Sequence, residues 1–169
     1  MISLPKRKKY WKREKKKVNK TKRGKKIIIY TDGSCDPNPG PGGWAALIIA
    51  DGEEELLSGY DPQSTNNRME LMAAIQALKK IRNEEEIILY TDSQYVKKGI
   101  TEWMDNWISR NWKRKGGVLA NVDLWKELAK ETNKHEIEWR WVKAHNGHHY
   151  NERVDRKARQ MANSGRKKR

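Results

Sequence analysis

The chain has 169 residues, with 37 Lys and Arg against 22 Asp and Glu, a formal net charge of +15 and a single cysteine, Cys35. That length supports one domain with a real core, and one cysteine excludes an internal disulfide framework. The longest apolar run, Trp44 to Ala50, is far too short to cross a bilayer, and no apolar stretch follows the basic N-terminus as a secretory signal would require.

In chain order, residues 1–26 come first, with fourteen Lys or Arg against the single acid Glu14. Such a segment cannot bury enough apolar surface to fold alone, so a disordered basic tail is expected. A mobile polycation binds nucleic-acid backbones with strong salt dependence, and Tyr10 and Trp11 within it would stack on bases. A solubilising tail or a nuclear address has the same composition. Residues 166–169 are again all basic, which leaves residues 27–165, the expected globular domain, close to neutral.

Ile27 to Thr31 is a β-branched run and reads as the first strand. After a Gly/Pro/Asn stretch at 36–43, Trp44 to Ala50 reads as the second strand, Asp51-Gly52 as a two-residue hairpin turn and Glu54 to Tyr60 as the third. From Asn67 to Ile81 the period becomes helical, with Leu71, Ile75 and Leu78 at i, i+4 and i+7. Ile87 to Thr91 is a fourth strand, and helical material runs from Gln94 to the Trp-rich segment ending at Trp112. Val122, Trp125, Leu128 and Ala129 mark another helix, Ile137 to Val142 a fifth strand and Asn151 to Ala162 a last helix. Hairpin-like strands followed by alternating helix and strand indicate an α/β fold, a mixed sheet with helices on its faces.

Two of these strands repeat one pattern, Ile28-x-Tyr30-x-Asp32 and Ile88-x-Tyr90-x-Asp92. Side chains alternate along a strand, so Ile, Tyr and Asp share a face in each. Both Asp residues then fall at the carboxyl end of a strand, the edge where open α/β sheets place their sites. If the strands are neighbours the two carboxylates repel, and a divalent cation is what leaves both ionised at neutral pH. Glu70 lies on the first helix beside Ala73, Ala74 and Ala77, a small face that lets the helix press on the sheet; Asp155, early in the last helix, offers a fourth oxygen donor. Taken singly, Asp32-Gly33 reads as a turn, Asp92-Ser93 as a helix cap, Glu70 as a solvated helix residue and Asp155 as a partner for Arg159 at i+4. It is their joint arrangement that points to a site.

Tyr30-Thr31-Asp32-Gly33-Ser34, Asn38-Pro39-Gly40, Thr65 to Leu71, Thr91-Asp92-Ser93-Gln94-Tyr95 and His145-Asn146-Gly147-His148 with Asn151 to Asp155 occur in that order. Together they resemble type 1 ribonuclease H, over about residues 26–163. The resemblance implies a five-stranded mixed sheet flanked by helices (the ribonuclease H-like fold) and an endonuclease that hydrolyses the RNA strand of RNA–DNA hybrids. It implies that Asp32, Glu70, Asp92 and Asp155 hold two Mg²⁺ ions, with Mn²⁺ as substitute, about 4 Å apart. Asp32 would bridge them, Glu70 and Asp92 would hold the ion on the attacking-water side, and Asp155 the ion on the leaving 3′-oxygen side, giving 5′-phosphate and 3′-hydroxyl ends. His145, in a glycine-bearing loop, would be a mobile proton carrier.

Recognising RNA requires contact with the 2′-hydroxyl, which side-chain amides can make. By resemblance Asn38, Asn66, Asn67 and Gln94 take minor-groove contact positions with Cys35 beside them, Thr65 and Asn121 seat a phosphate of the DNA strand, and Tyr95 and Trp103 wall its channel. Trp103 and Trp107 are i, i+4 and suit helix packing, while Arg110, Lys113, Arg114 and Lys115 project as a second phosphate-binding patch that resembles the family's basic protrusion. The chain departs from the family pattern at Ala144, where glycine is common, and at His149-Tyr150. Other readings are a zinc site from His145, His148 and His149, an integrase or transposase core on the same superfold, and a binding module without chemistry. A monomeric, cytoplasmic protein with no membrane association is expected.

Overall fold

The structure is a computed structural model describing residues 2–3, 26–82 and 85–166. The rest of the expected basic tail, Met1 and residues 4–25, and the C-terminal residues 167–169 lie outside the described residues.

One mixed sheet carries the molecule. Its strands are β1 (Ile2–Ser3), β2 (Ile27–Cys35), β3 (Gly40–Ala50), β4 (Glu53–Ser64), β5 (Glu86–Thr91) and β6 (Glu136–Trp141), in the spatial order β1-β6-β5-β2-β3-β4. Among the described residues five α-helices accompany them: α1 (Asn66–Lys80), α2 (Gln94–Lys98), α3 (Met104–Ser109), α4 (Val122–Thr132) and α5 (His149–Arg166). β2, β3 and β4 form an antiparallel meander, whereas β5 and β6 pair parallel to β2 and to each other. The five expected strands are all present. Asp51 and Gly52 take positive φ, 51° and 76°, as the two-residue turn between β3 and β4 requires.

Three boundaries differ from the sequence expectation. Ile2–Ser3 belongs to the sheet as a short antiparallel edge on β6, not to a disordered tail; these residues precede the charge run and meet the unpaired groups of an open strand edge. β2 continues beyond Thr31 to Cys35 because β3 keeps pairing with it as far as Cys35↔Gly42. The helix expected from Gln94 to Trp112 is broken into α2, a π-helical turn at Gly99–Trp103 and α3. Its cause lies elsewhere in the chain: Gly99 rests flat on the Trp125 ring, where any Cβ would overlap the indole.

Strand alternation divides the core. Ile29, Ala46, Ile48, Ile87 and Leu89 face α1 and α4 and pack with Leu71, Ile75, Leu78, Leu124, Trp125 and Leu128. Tyr30, Ala45, Leu47 and Tyr90 face the other way, onto Val154 and Ala158 of α5. The repeated pattern therefore shows itself physically: Tyr30 and Tyr90 stack with centroids 4.6 Å apart and planes within 5°. Burial pushes the Tyr30 hydroxyl up to about 12.

Candidate active site

Parallel pairing of β2 with β5 runs from Ile27↔Ile87 to Thr31↔Thr91 and stops there. Asp32 and Asp92 are the next residue of each strand, so they stand side by side where the parallel ladder ends. Asp32 is thus at the end of that ladder although not at the end of β2. Ser93, not Asp92, caps α2, accepting from Val96 N–H at 3.1 Å, which leaves the Asp92 carboxylate available.

α1 brings Glu70 to the same point. Thr65 caps this helix by accepting from Arg68 N–H at 3.2 Å. Ala73, Ala74 and Ala77 are fully buried against the sheet, and Gly33 permits the closest approach, since a Cβ there would overlap the backbone of Met69 and Glu70. The result is a group of three carboxylates, Asp32, Glu70 and Asp92, offering oxygens that all lie within 4.8 Å of one another. Asp32 is 3% exposed and Glu70 9%.

Such proximity has an electrostatic cost. Burial, with the negative charges of Asp92 and Asp155 adding to it, pushes Asp32 up to about 8. Burial and then the Asp32 charge hold Glu70 well above the usual carboxylate range, and burial raises Asp92 as well. Gly33 N–H donates to Asp32 Oδ1 at 2.9 Å, whereas Glu70 Oε2 is buried with no hydrogen-bond partner among the described residues. An all-oxygen set of close carboxylates with one orphan buried oxygen suits a hard divalent cation.

The last helix adds Asp155. Its carboxylate stands close enough to raise Asp32, and it also accepts from Arg159, Nη2 to Oδ2 at 2.6 Å and Nε to Oδ1 at 3.2 Å. The i+4 pairing with Arg159 is thus present, while Asp155 stands outside the close group of three carboxylates. His145 lies in the loop before α5, 66% exposed, with Nδ1 4.0 Å from Asp155 Oδ2. It adopts a positive φ of 54°.

The candidate residues taken from the sequence omit Asn151, which is 2% exposed and favours the charged form of the Asp92 carboxyl. Its signal is the i, i+4 spacing to Asp155 on one helix face. The zinc reading finds no support: the metal-capable group among the described residues contains no histidine, and His148 packs against the Tyr30 and Tyr90 rings.

Beside the carboxylates lies a chain of amides. Asn66 N–H donates to Asn38 Oδ1 at 3.2 Å, and Cys35 N–H donates to Asn66 Oδ1 at 2.6 Å. Asn38 and Asn66 thus tie the β2–β3 turn to the start of α1; Asn67 and Gln94 are exposed at the first turns of α1 and α2. A second network joins Tyr95 to Asn121. Tyr95 Oη accepts from Asn121 Nδ2 at 3.0 Å and from Trp125 Nε1 at 2.9 Å. Arg68 donates to Asn121 Oδ1 at 3.3 Å and to both Asp123 oxygens at 3.0 and 2.8 Å. Asn121, at positive φ 58°, precedes α4 without capping it. Trp103 stands edge-on to Tyr95, centroids 5.8 Å apart, and packs on Trp107 as the i, i+4 spacing predicts. Arg110, Lys113, Arg114 and Lys115 are exposed on the loop after α3.

The family model described as RNase H matches residues 24–163. The Ribonuclease H of Hahella chejuensis is 56% identical over 142 residues, 83% of this chain and 93% of the relative. That of Xanthomonas oryzae pv. oryzae is 57% identical over 143 residues, 84% of this chain and 95% of the relative. Among solved structures, LC9-RNase H1, a type 1 RNase H, is 32% identical with a TM-score of 0.77, covering 84% of this chain and 74% of that one.

Proposed function

The chain belongs to the ribonuclease H family, and from that premise we propose that it is an endonuclease hydrolysing the RNA strand of RNA–DNA hybrids with divalent metal, giving 5′-phosphate and 3′-hydroxyl ends. The observation that carries the metal requirement is the trio Asp32, Glu70 and Asp92, with oxygens within 4.8 Å and an orphan buried Glu70 oxygen. Asp32, Glu70, Asp92 and Asp155 would hold two Mg²⁺ ions, with Mn²⁺ able to replace them. When bound, such ions neutralise charge on the attacking and leaving oxygens of an in-line displacement.

Asp32 would be the shared donor, a reading supported by the influence of Glu70, Asp92 and Asp155 on its carboxyl. His145, exposed and tethered near Asp155, would carry a proton between solvent and the reacting oxygens. A water oxygen bonds to phosphorus, the P–O3′ bond breaks, and the leaving 3′-oxygen takes up a proton. The amides of Asn38, Asn66, Asn67 and Gln94, with the Cys35 segment they brace, would face the hybrid's minor groove and read 2′-hydroxyls. Thr65 and Asn121 would seat a DNA-strand phosphate, Tyr95 and Trp103 would line that strand's path, and Arg110, Lys113, Arg114 and Lys115 would hold the backbone further along. Residues 27–165 would constitute the catalytic domain, with the basic residues at 1–26 adding backbone affinity.

The test is cleavage of a labelled hybrid, with duplex DNA and single-stranded RNA as controls. Mg²⁺-dependent loss of the hybrid's RNA alone is expected, and Asp92→Asn should lower kcat by orders of magnitude. Full activity without divalent metal, or in Asp92→Asn, would overturn the proposal.

A further inference from the structure

Asp92 stands one residue past the end of β5, beyond the backbone ladder that β5 shares with its neighbours. The last rung between β5 and β6 joins Val142 N–H to Thr91 O at 2.9 Å, and Thr91 faces Trp141 in register. One residue further, a side chain takes over from the ladder: Trp141 Nε1–H donates to the Asp92 carbonyl at 3.1 Å. On the other side, Ser93 N–H turns back to Thr91 Oγ1 at 3.1 Å. The Trp141 ring is itself held, since the Lys97 ammonium from α2 lies over its face, 5.0 Å from the centroid.

We propose that Trp141 is a positioning residue for Asp92: its indole N–H extends the sheet's hydrogen bonding by one residue and fixes the peptide from which the Asp92 carboxylate projects toward Asp32. The inference rests on the reading of Asp92 as a metal ligand. Like charges at the strand ends favour turning one carboxylate away when no cation is present, and rotation of the Asp92 backbone is one route, beside rotation of the side chain itself. Anchoring the carbonyl closes the backbone route. Core packing alone does not ask for this residue type. The part of Trp141 that meets the α1/α4 core would be served by phenylalanine, but phenylalanine has no donor at its ring edge.

The experiment compares wild type, Trp141→Phe and Lys97→Met in the full chain. Mn²⁺ binding is measured by calorimetry without substrate, thermal unfolding without metal, and kcat and KM for a hybrid across an Mg²⁺ titration. Trp141→Phe should bind Mn²⁺ about tenfold more weakly, the low end for losing a partner behind a metal ligand. Its kcat should fall at low Mg²⁺ and recover at high Mg²⁺, with KM for the hybrid and metal-free unfolding nearly unchanged. Lys97→Met should show the same pattern more weakly, although removing a positive charge would by itself favour a cation. Mn²⁺ binding by Trp141→Phe as tight as wild type overturns the inference. If that variant is unfolded at the assay temperature, wild-type affinity in Lys97→Met overturns it instead. Absence of Mn²⁺ binding in the wild type is a different result, which removes the proposed metal site and not the role of Trp141 alone.

Discussion

At the residue scale, the candidate site is a place where stability and metal binding oppose each other. Asp32 is raised from its ordinary 3.8 to about 8, chiefly by burial and then by neighbouring acids. A carboxyl whose folded pKa lies above its unfolded value binds its proton more tightly in the native state. Its contribution is therefore fully present below pH 3.8 and is lost as pH rises toward 8. Glu70 and Asp92 are shifted the same way, so metal-free protein should lose stability through that window. Divalent metal should reverse the loss at neutral pH, because it binds the ionised native site. Thermal unfolding of wild type and Asp32→Asn, with and without Mg²⁺ from pH 4 to 8, checks this. The asparagine variant should show a flatter metal-free profile and a smaller gain from Mg²⁺; parallel profiles for the two proteins would contradict the assignment of Asp32.

Elements deliver these side chains, and their close approach is set by glycine. Gly33 sits where β2 passes under the start of α1, and a Cβ there would meet backbone, which cannot swing aside. Gly33→Ala should cost about 1–3 kcal/mol by overpacking and, by lifting α1, should draw Glu70 away from Asp32. Gly43→Ala is the informative comparison, because there the clash is with the backbone of α5 at Ala158 and Ala162, away from Glu70. Denaturant unfolding should show similar losses for both, while Mn²⁺ affinity should fall further for Gly33→Ala. Wild-type metal affinity in Gly33→Ala would show that the approach of α1 does not tune the site. The same elements explain what is legible in the sequence. The period-2 echo ending in Asp32 and Asp92 and the alanine face beside Glu70 are local patterns, and each maps onto a contact. The continuation of β2 to Cys35 depends on β3 as a partner, and the π-helical turn at Gly99 depends on Trp125 in α4. Neither is written in the segment that shows it. Asn151 and Trp141 escape a reading of the sequence for a related reason: they act on Asp92 from α5 and β6, across the fold.

On the scale of the whole molecule, charge is segregated. Fourteen of the 37 Lys and Arg fall in residues 1–26, while residues 27–165 are near neutral. The carboxylate group would then receive a polyanion on a domain with little net attraction for it, and the basic N-terminal segment is the principal reserve of positive charge. Long-range attraction of this kind governs affinity and salt dependence, not the geometry of the reacting atoms. Replacing the Lys and Arg of residues 6–23 with Gln isolates that contribution, and it keeps Ile2–Ser3, which pair with β6, whereas a simple truncation would also remove an edge of the sheet. The variant should raise KM for a hybrid about tenfold or more near 50 mM salt. It should also flatten the dependence of log KM on log salt, by roughly one unit for each phosphate that the segment no longer neutralises. The KM values of variant and wild type should converge once salt screening shortens to a few ångströms, at about 1 M. Turnover at saturating substrate should stay the same at every salt concentration, because no residue of the carboxylate group has changed. A fall in kcat would mean that the basic segment reaches the reacting phosphate, and a KM increase independent of salt would mean that its contacts are not electrostatic.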